Sequence, residues 1–134
     1  MGISRLIGLY LVVVGAAVAL QFILYPLYGN GTDAGITIWL TLDWFMALGL
    51  ALALYTTNQR RQADNGDDNA CCSSAAAVMF YGTAVLALAF FPNWFGEAFT
   101  EHANDTAAWT IWHLIDSVLP VLFVAEGRRL LRAS

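Results

Sequence analysis

There is no lysine in this chain. Its six basic residues are all arginines: Arg5, Arg60, Arg61, Arg128, Arg129 and Arg132. None of their groupings is long enough to follow a nucleic-acid backbone, which sets that partner aside. Histidine is almost as scarce. With only His102 and His113, a three-histidine zinc site cannot be assembled within one chain. A bis-histidine haem would consume both, one of them in a surface segment, so haem is not expected. Cysteine is limited to the adjacent pair Cys71 and Cys72. Neighbouring cysteines rarely meet the separation and torsion of a disulfide, and no further thiol exists to complete a soft metal site. The pair also falls on the inner side, whereas a quinone-linked thiol oxidoreductase of the four-helix type needs its cysteines outside. They read as two small residues near a helix start, kept reduced by the cytoplasm. No Gly-rich phosphate loop and no serine nucleophile motif occurs. Catalysis by this chain alone is not expected.

Charge is also short. Only 12% of the 134 residues are charged and 59% are apolar, whereas soluble domains carry roughly a quarter charged residues. What is present instead is a set of apolar runs near the length of a bilayer crossing. The expectation is one all-α membrane domain, an up-down bundle of four transmembrane helices. Helix one covers about 6–28, from Leu6 to Tyr28, and helix two about 36–55, from Ile36 to Tyr55. A polar loop, 56–74, separates them from helix three, about 75–91, which Pro92 is expected to end because its ring and missing N–H oppose a helix interior. An outer loop, 92–106, leads to helix four, about 107–124, with Asn104 or Asp105 as its N-cap. Within that loop, Trp94 to Ala103 places Phe95 and Phe99 four apart, and Glu97 and Glu101 likewise. It reads as a short amphipathic helix on the outer surface, or else as an irregular loop.

The first apolar run could pass for a signal peptide, with Ala17-Val18-Ala19 as a cleavage box, but it continues to Tyr28 and is read as a membrane helix. The Met-Gly start fails the myristoylation pattern, since Leu6 stands where Ser or Thr is wanted. All six arginines fall in the N-terminal segment, the middle loop and the C-terminal segment, so the positive-inside rule places both termini in the cytoplasm. Size and topology suit a protein of a bacterial inner membrane. Tyr25, Tyr28, Trp39, Trp94, Trp109 and Trp112 cluster towards the outer helix ends, as an aromatic belt does. Asn30-Gly31-Thr32 and Asn104-Asp105-Thr106 match a glycosylation acceptor, a match that loops rich in Asn and Thr also produce by chance.

Small residues recur at helical spacing. Gly8 and Gly15 are seven apart, Gly15 and Ala19 four apart, as are Ala47 and Ala51, and Thr83 and Ala87. In lipid, helices associate through close backbone approach, so such faces mark contacts.

The residues with chemical potential are the costly ones. Asp43, His113 and Asp116 fall inside apolar spans, where a charge at the bilayer centre costs about 2.5–3.5 kcal/mol on insertion scales. At 1.5 Å per residue, Asp43 lies about 10 Å and Asp116 about 13 Å below the outer helix ends. Gln21 falls at a similar depth. His113 and Asp116 share one helix face, being three apart, and Trp109, Ser117 and Pro120 extend or flank it. Thr83 and Tyr81 are candidates to contribute from helix three. One reading is a site binding or passing a proton or a metal cation, built from Asp43, His113, Asp116 and Gln21. Glu97, Glu101, His102 and Asp105 would form an acidic vestibule above it. A divalent metal is the cofactor this pattern suggests, and binding of another cofactor or of a substrate is a further reading of the same cluster. The competing reading is structural: Asp43 and His113 make a single polar contact that fixes helix register. Beyond the lipid bilayer, the partners consistent with a small chain lacking catalytic motifs are a homo-oligomer or a larger membrane complex. In that complex it would be an accessory subunit docked through Trp94 to Phe99.

Overall fold

The structure is a computed structural model, and it describes residues 2–29, 32–65, 70–99 and 106–134, with side chains left undescribed at 70–73. It is all-helical: α1 (Ile3–Tyr28), α2 (Asp33–Asp64), α3 (Ala70–Phe99) and α4 (Thr106–Ala133). Each of the four is long and apolar enough to cross a membrane. The lateral surface explains why apolarity runs all round these helices. Leu27, Leu88, Val121 and Val78 are each at least 70% exposed, which water would punish and lipid does not.

The helices pack so that α1 lies chiefly against α4 and α2 chiefly against α3. The first pair is antiparallel. Gly8 near the start of α1 meets Gly127 near the end of α4, so closely that a Cβ on Gly127 would stand 2.6 Å from the Gly8 carbonyl oxygen. The small residue at position 8 is therefore a helix-contact residue, and so is Gly15, where a Cβ would sit 3.1 Å from the Phe123 Cβ and the Pro120 carbonyl oxygen. The core runs down the middle through Leu11 and Val18 of α1, Met46 and Leu50 of α2, Phe90 of α3, and Ile115, Leu119 and Phe123 of α4.

The helices exceed the sequence-based spans at several ends, for local reasons. Helix α2 begins three residues early because the Thr32 hydroxyl accepts the Gly35 N–H as an N-cap, with Asp33 in the first turn favoured by the helix dipole. It continues past Tyr55 to Asp64, where Arg60 pairs with Asp64 at 3.6 Å. Most of the expected 56–74 loop is thus helix. Helix α4 likewise continues past Val124 to Ala133. The proposed cap residues Asn104 and Asp105 lie outside the described residues.

The largest departure is at Pro92. Rather than stopping helix three near Phe91, it sits inside α3, which continues to Phe99. The lost N–H is one hydrogen bond in a helix held by its neighbours, and membrane helices tolerate proline where packing and side chains compensate. The Asn93 side chain donates to the Ala89 carbonyl one turn back at 2.9 Å. Trp94, expected on an outer surface segment, is 6% exposed. It stacks on Phe90 at 5.7 Å and meets the Trp44 ring edge-on at 4.8 Å. The stretch 92–99 is therefore the last turns of α3 and not a separate surface helix, while Phe95 and Phe99 do face outward.

Candidate functional site

Near the α1–α2 turn, the helices leave a cleft of about 700 Å³. Its walls come from all four. Phe22, Tyr25 and Pro26 contribute from α1, Trp39 and Asp43 from α2, Asn93, Gly96 and Glu97 from α3, and Trp109, Trp112, His113 and Asp116 from α4. Helical periodicity produces this lining. Trp39 and Asp43 stand four apart on α2, and Trp109, Trp112, His113 and Asp116 follow three- and four-residue steps on α4, so each set shares a face. The prolines concentrate here too. Pro26 and Pro92 are cleft residues, and Pro120, one turn beyond Asp116, has no N–H to meet the Asp116 backbone carbonyl.

Asp43 is 4% exposed and Asp116 8%, and Glu97 stands at the more open part of the same cleft. Asp43, Glu97 and Asp116 lie within electrostatic range of one another. The Trp112 indole serves the Glu97 carboxylate as a hydrogen-bond donor. The Asp116 carboxylate is less well supplied, its Oδ1 being buried without a hydrogen-bond partner. His113 is exposed at the cleft wall. Its Nδ1 lies 2.7 Å from the Trp109 carbonyl oxygen, and because a carbonyl only accepts, Nδ1 carries the proton of that bond. In the neutral ring, Nε2 is then left as an acceptor. The imidazole is framed by Phe22 at 6.0 Å and Trp109 at 6.2 Å.

Of the sequence-derived candidates, Asp43, His113, Asp116 and Glu97 come together on one cleft. Gln21 does not join them. It is buried on α1 and accepts a hydrogen bond from the Tyr28 hydroxyl, and it is not among the residues that line the cleft, although Tyr25 one turn on is. Glu97 belongs to the cleft wall itself rather than to a separate vestibule above it, because α3 runs on through Pro92. Glu101, His102 and Asp105 lie outside the described residues. From helix three, neither suggested residue contributes. Thr83 is buried and donates to the Met79 carbonyl, and Tyr81 is at the other end of the bundle, where its hydroxyl accepts from Arg61 at 3.2 Å. Ser117 donates to the His113 carbonyl within its own helix. Among the described residues, no three His, Cys, Asp or Glu side chains are grouped so as to hold a metal ion.

The residue that sequence reasoning passed over is Glu126. It lies beyond the expected end of helix four near residue 124, yet it is fully buried. Arg129 meets both its carboxylate oxygens, at 2.5 and 2.9 Å, and the Thr56 hydroxyl donates to Oε1 at 2.9 Å. The available signal was the three-residue Glu126–Arg129 spacing, continued beyond the apolar window.

No family model matches the chain, and comparison with curated proteins and with solved structures finds no significant match.

Proposed function

We propose that this is an integral membrane protein that crosses the bilayer four times and binds or passes a cation at the Asp43–Asp116 cleft, with the proton as its simplest occupant. Both termini are cytoplasmic and the cleft lies in the outer half of the membrane, which in a bacterium is the inner membrane. The observation that carries the reading is the convergence of two deeply buried aspartates and a glutamate on one cleft. Buried charge at membrane depth is costly unless paired, and the chain's buried or half-buried cationic groups are engaged elsewhere. Arg129 holds Glu126, and Arg61 lies over the Phe80 ring at 4.5 Å. Within the cleft, His113 is in electrostatic range of Asp116, but three carboxylates outnumber it, and a cation from outside the protein would make up the difference. A divalent metal suits the arrangement less well, since the grouping of three ligating side chains is missing among the described residues.

Trp39, Trp109 and Trp112 sit in the cleft walls and report on it. In detergent, tryptophan emission is expected to shift with pH through the groups that face the cleft: Tyr25 on α1, Asp43 on α2, Glu97 on α3, and His113 and Asp116 on α4. The shift should shrink in Asp43→Asn and in Asp116→Asn, and shrink most in the double variant. A full-sized pH response in the double variant, with helicity intact by circular dichroism, removes the proposal.

A further inference from the structure

The cleft is far larger than a proton or a bare ion needs. A water molecule claims about 30 Å³ of liquid volume, so in a cleft of about 700 Å³ a lone ion would leave most of the space to something else. Ligand sites for organic molecules span roughly 300–1,000 Å³, and this one falls inside that range. Its walls are also wrong for a small hard cation, which seeks several oxygen ligands at short range. They present aromatic rings from three helices: Phe22 and Tyr25, Trp39, and Trp109 with Trp112. The faces of such rings attract cations, and aromatic enclosures are the characteristic setting for substituted ammonium groups. At the base of those rings stands Asp116, more than nine-tenths buried, with one carboxylate oxygen lacking any hydrogen-bond partner.

We infer that the cleft binds an organic ammonium ion, its charged nitrogen against Asp116 and Asp43 and its hydrocarbon part between the aromatic walls. The inference rests on the cation-binding reading above and narrows its occupant. His113 fits the same role, since its Nε2, left as an acceptor by the Nδ1 bond to the Trp109 carbonyl, can take an N–H from a primary or secondary ammonium. Asn93 and Glu97 complete the polar rim. An ammonium group reaches such a cleft either as a free amine or as the headgroup of a choline or ethanolamine lipid, and both satisfy the same chemistry.

The test uses the full chain in an uncharged sugar detergent, with tetrapropylammonium chloride as probe and sodium and magnesium chloride at matched ionic strength as controls. Saturable change in tryptophan emission with tetrapropylammonium, and none with the metal salts, is expected. Asp116→Asn should weaken the apparent affinity by about tenfold or more, the scale of losing one unit charge that faces the cation; the probe has no N–H, so this is Coulomb attraction and not a hydrogen bond. Trp109→Leu, at an exposed position where folding is not at stake, should weaken it as well, and Trp109→Phe should restore part of it. In nanodiscs, weakening of probe binding by phosphatidylethanolamine relative to an uncharged galactolipid, which carries no ammonium and adds no surface potential, supports the inference and marks a lipid headgroup as the natural source. Equal binding in the two supports it with a free amine as source. No saturable response to tetrapropylammonium, or an Asp116→Asn variant that binds it as the unmodified chain does, overturns the inference. If the pH response of tryptophan emission survives that failure, the cation reading stands and only the occupant is wrong. If the pH response is absent too, both fall.

Discussion

At the residue scale the most instructive group is Glu126, because it and Arg129 are unequally able to survive the loss of the other. Glu126 is fully buried, whereas the Arg129 side chain keeps 29% of its surface exposed. Arg129→Ala therefore strands a carboxylate with only the Thr56 hydroxyl for company, and should cost about 3 kcal/mol, the lower range for breaking a buried pair. Glu126→Ala should cost less, since Arg129 can turn to water or headgroups. The double variant should be more stable than Arg129→Ala alone. Thermal unfolding followed by circular dichroism in detergent checks the order, and equal, additive costs would refute it. Asp43 and Asp116 were visible in the sequence because an acid inside an apolar run is conspicuous. Glu126 was not, because glutamate beside Gly127 and two arginines looks like a helix end in water. What distinguishes it is the Thr56 hydroxyl from α2, a neighbour 70 residues away that no window along the chain contains.

At the scale of elements, α3 shows how packing overrides a local stop signal. Proline opposes a helix interior, and read locally Pro92 ends helix three and frees Trp94 to lie on the surface. In the fold, Trp94 is held between Phe90 and Trp44, and that contact carries the helix across the proline. The two descriptions differ in what truncation costs. Trp94→Ala should destabilise the protein by about 3 kcal/mol, as loss of a buried aromatic does. Phe99→Ala, at a residue 69% exposed, should stay within about 0.5 kcal/mol. Detergent-titrated unfolding of the two variants measures the contrast, and a Trp94→Ala protein as stable as the parent would return Trp94 to the surface. The aromatic cleft follows from the same point. Asn93, Gly96 and Glu97 reach it only because α3 goes on past Pro92. The sequence therefore revealed α2 and α4 as its walls and left the α3 wall hidden. The small residues on α1 were a better guide, since Gly8 and Gly15 do sit at the α4 contact, where a steric rule needs no knowledge of the partner.

At the scale of the whole molecule, contacts along the bundle collect the arginines at one end. Gly8, three residues from Arg5, meets Gly127, which precedes Arg128 and Arg129, and Arg61 reaches Tyr81 near the same end where Thr56 meets Glu126. Tyr25, Trp39, Glu97 and Trp112 gather at the other, around the cleft. Arginine retained on the cytoplasmic side orients short-looped membrane proteins, so the cleft end should face outward. A fluorescent protein fused after Ser134 should fold and emit, an exported phosphatase at that position should be inactive, and the phosphatase inserted between 100 and 105 should be active. Orientation should also respond to charge. Replacing Arg5, Arg60, Arg128 and Arg132 with Gln, while placing arginine at Asn30 and Gly31, removes the bias at one end and builds it at the other, sparing Arg61 and Arg129 and their contacts and the Thr32 cap of α2. That variant should show the phosphatase pattern inverted in a substantial share of molecules. An unaltered pattern would mean that something other than arginine sets the topology, and an active phosphatase after Ser134 in the parent chain would put the cleft on the cytoplasmic side.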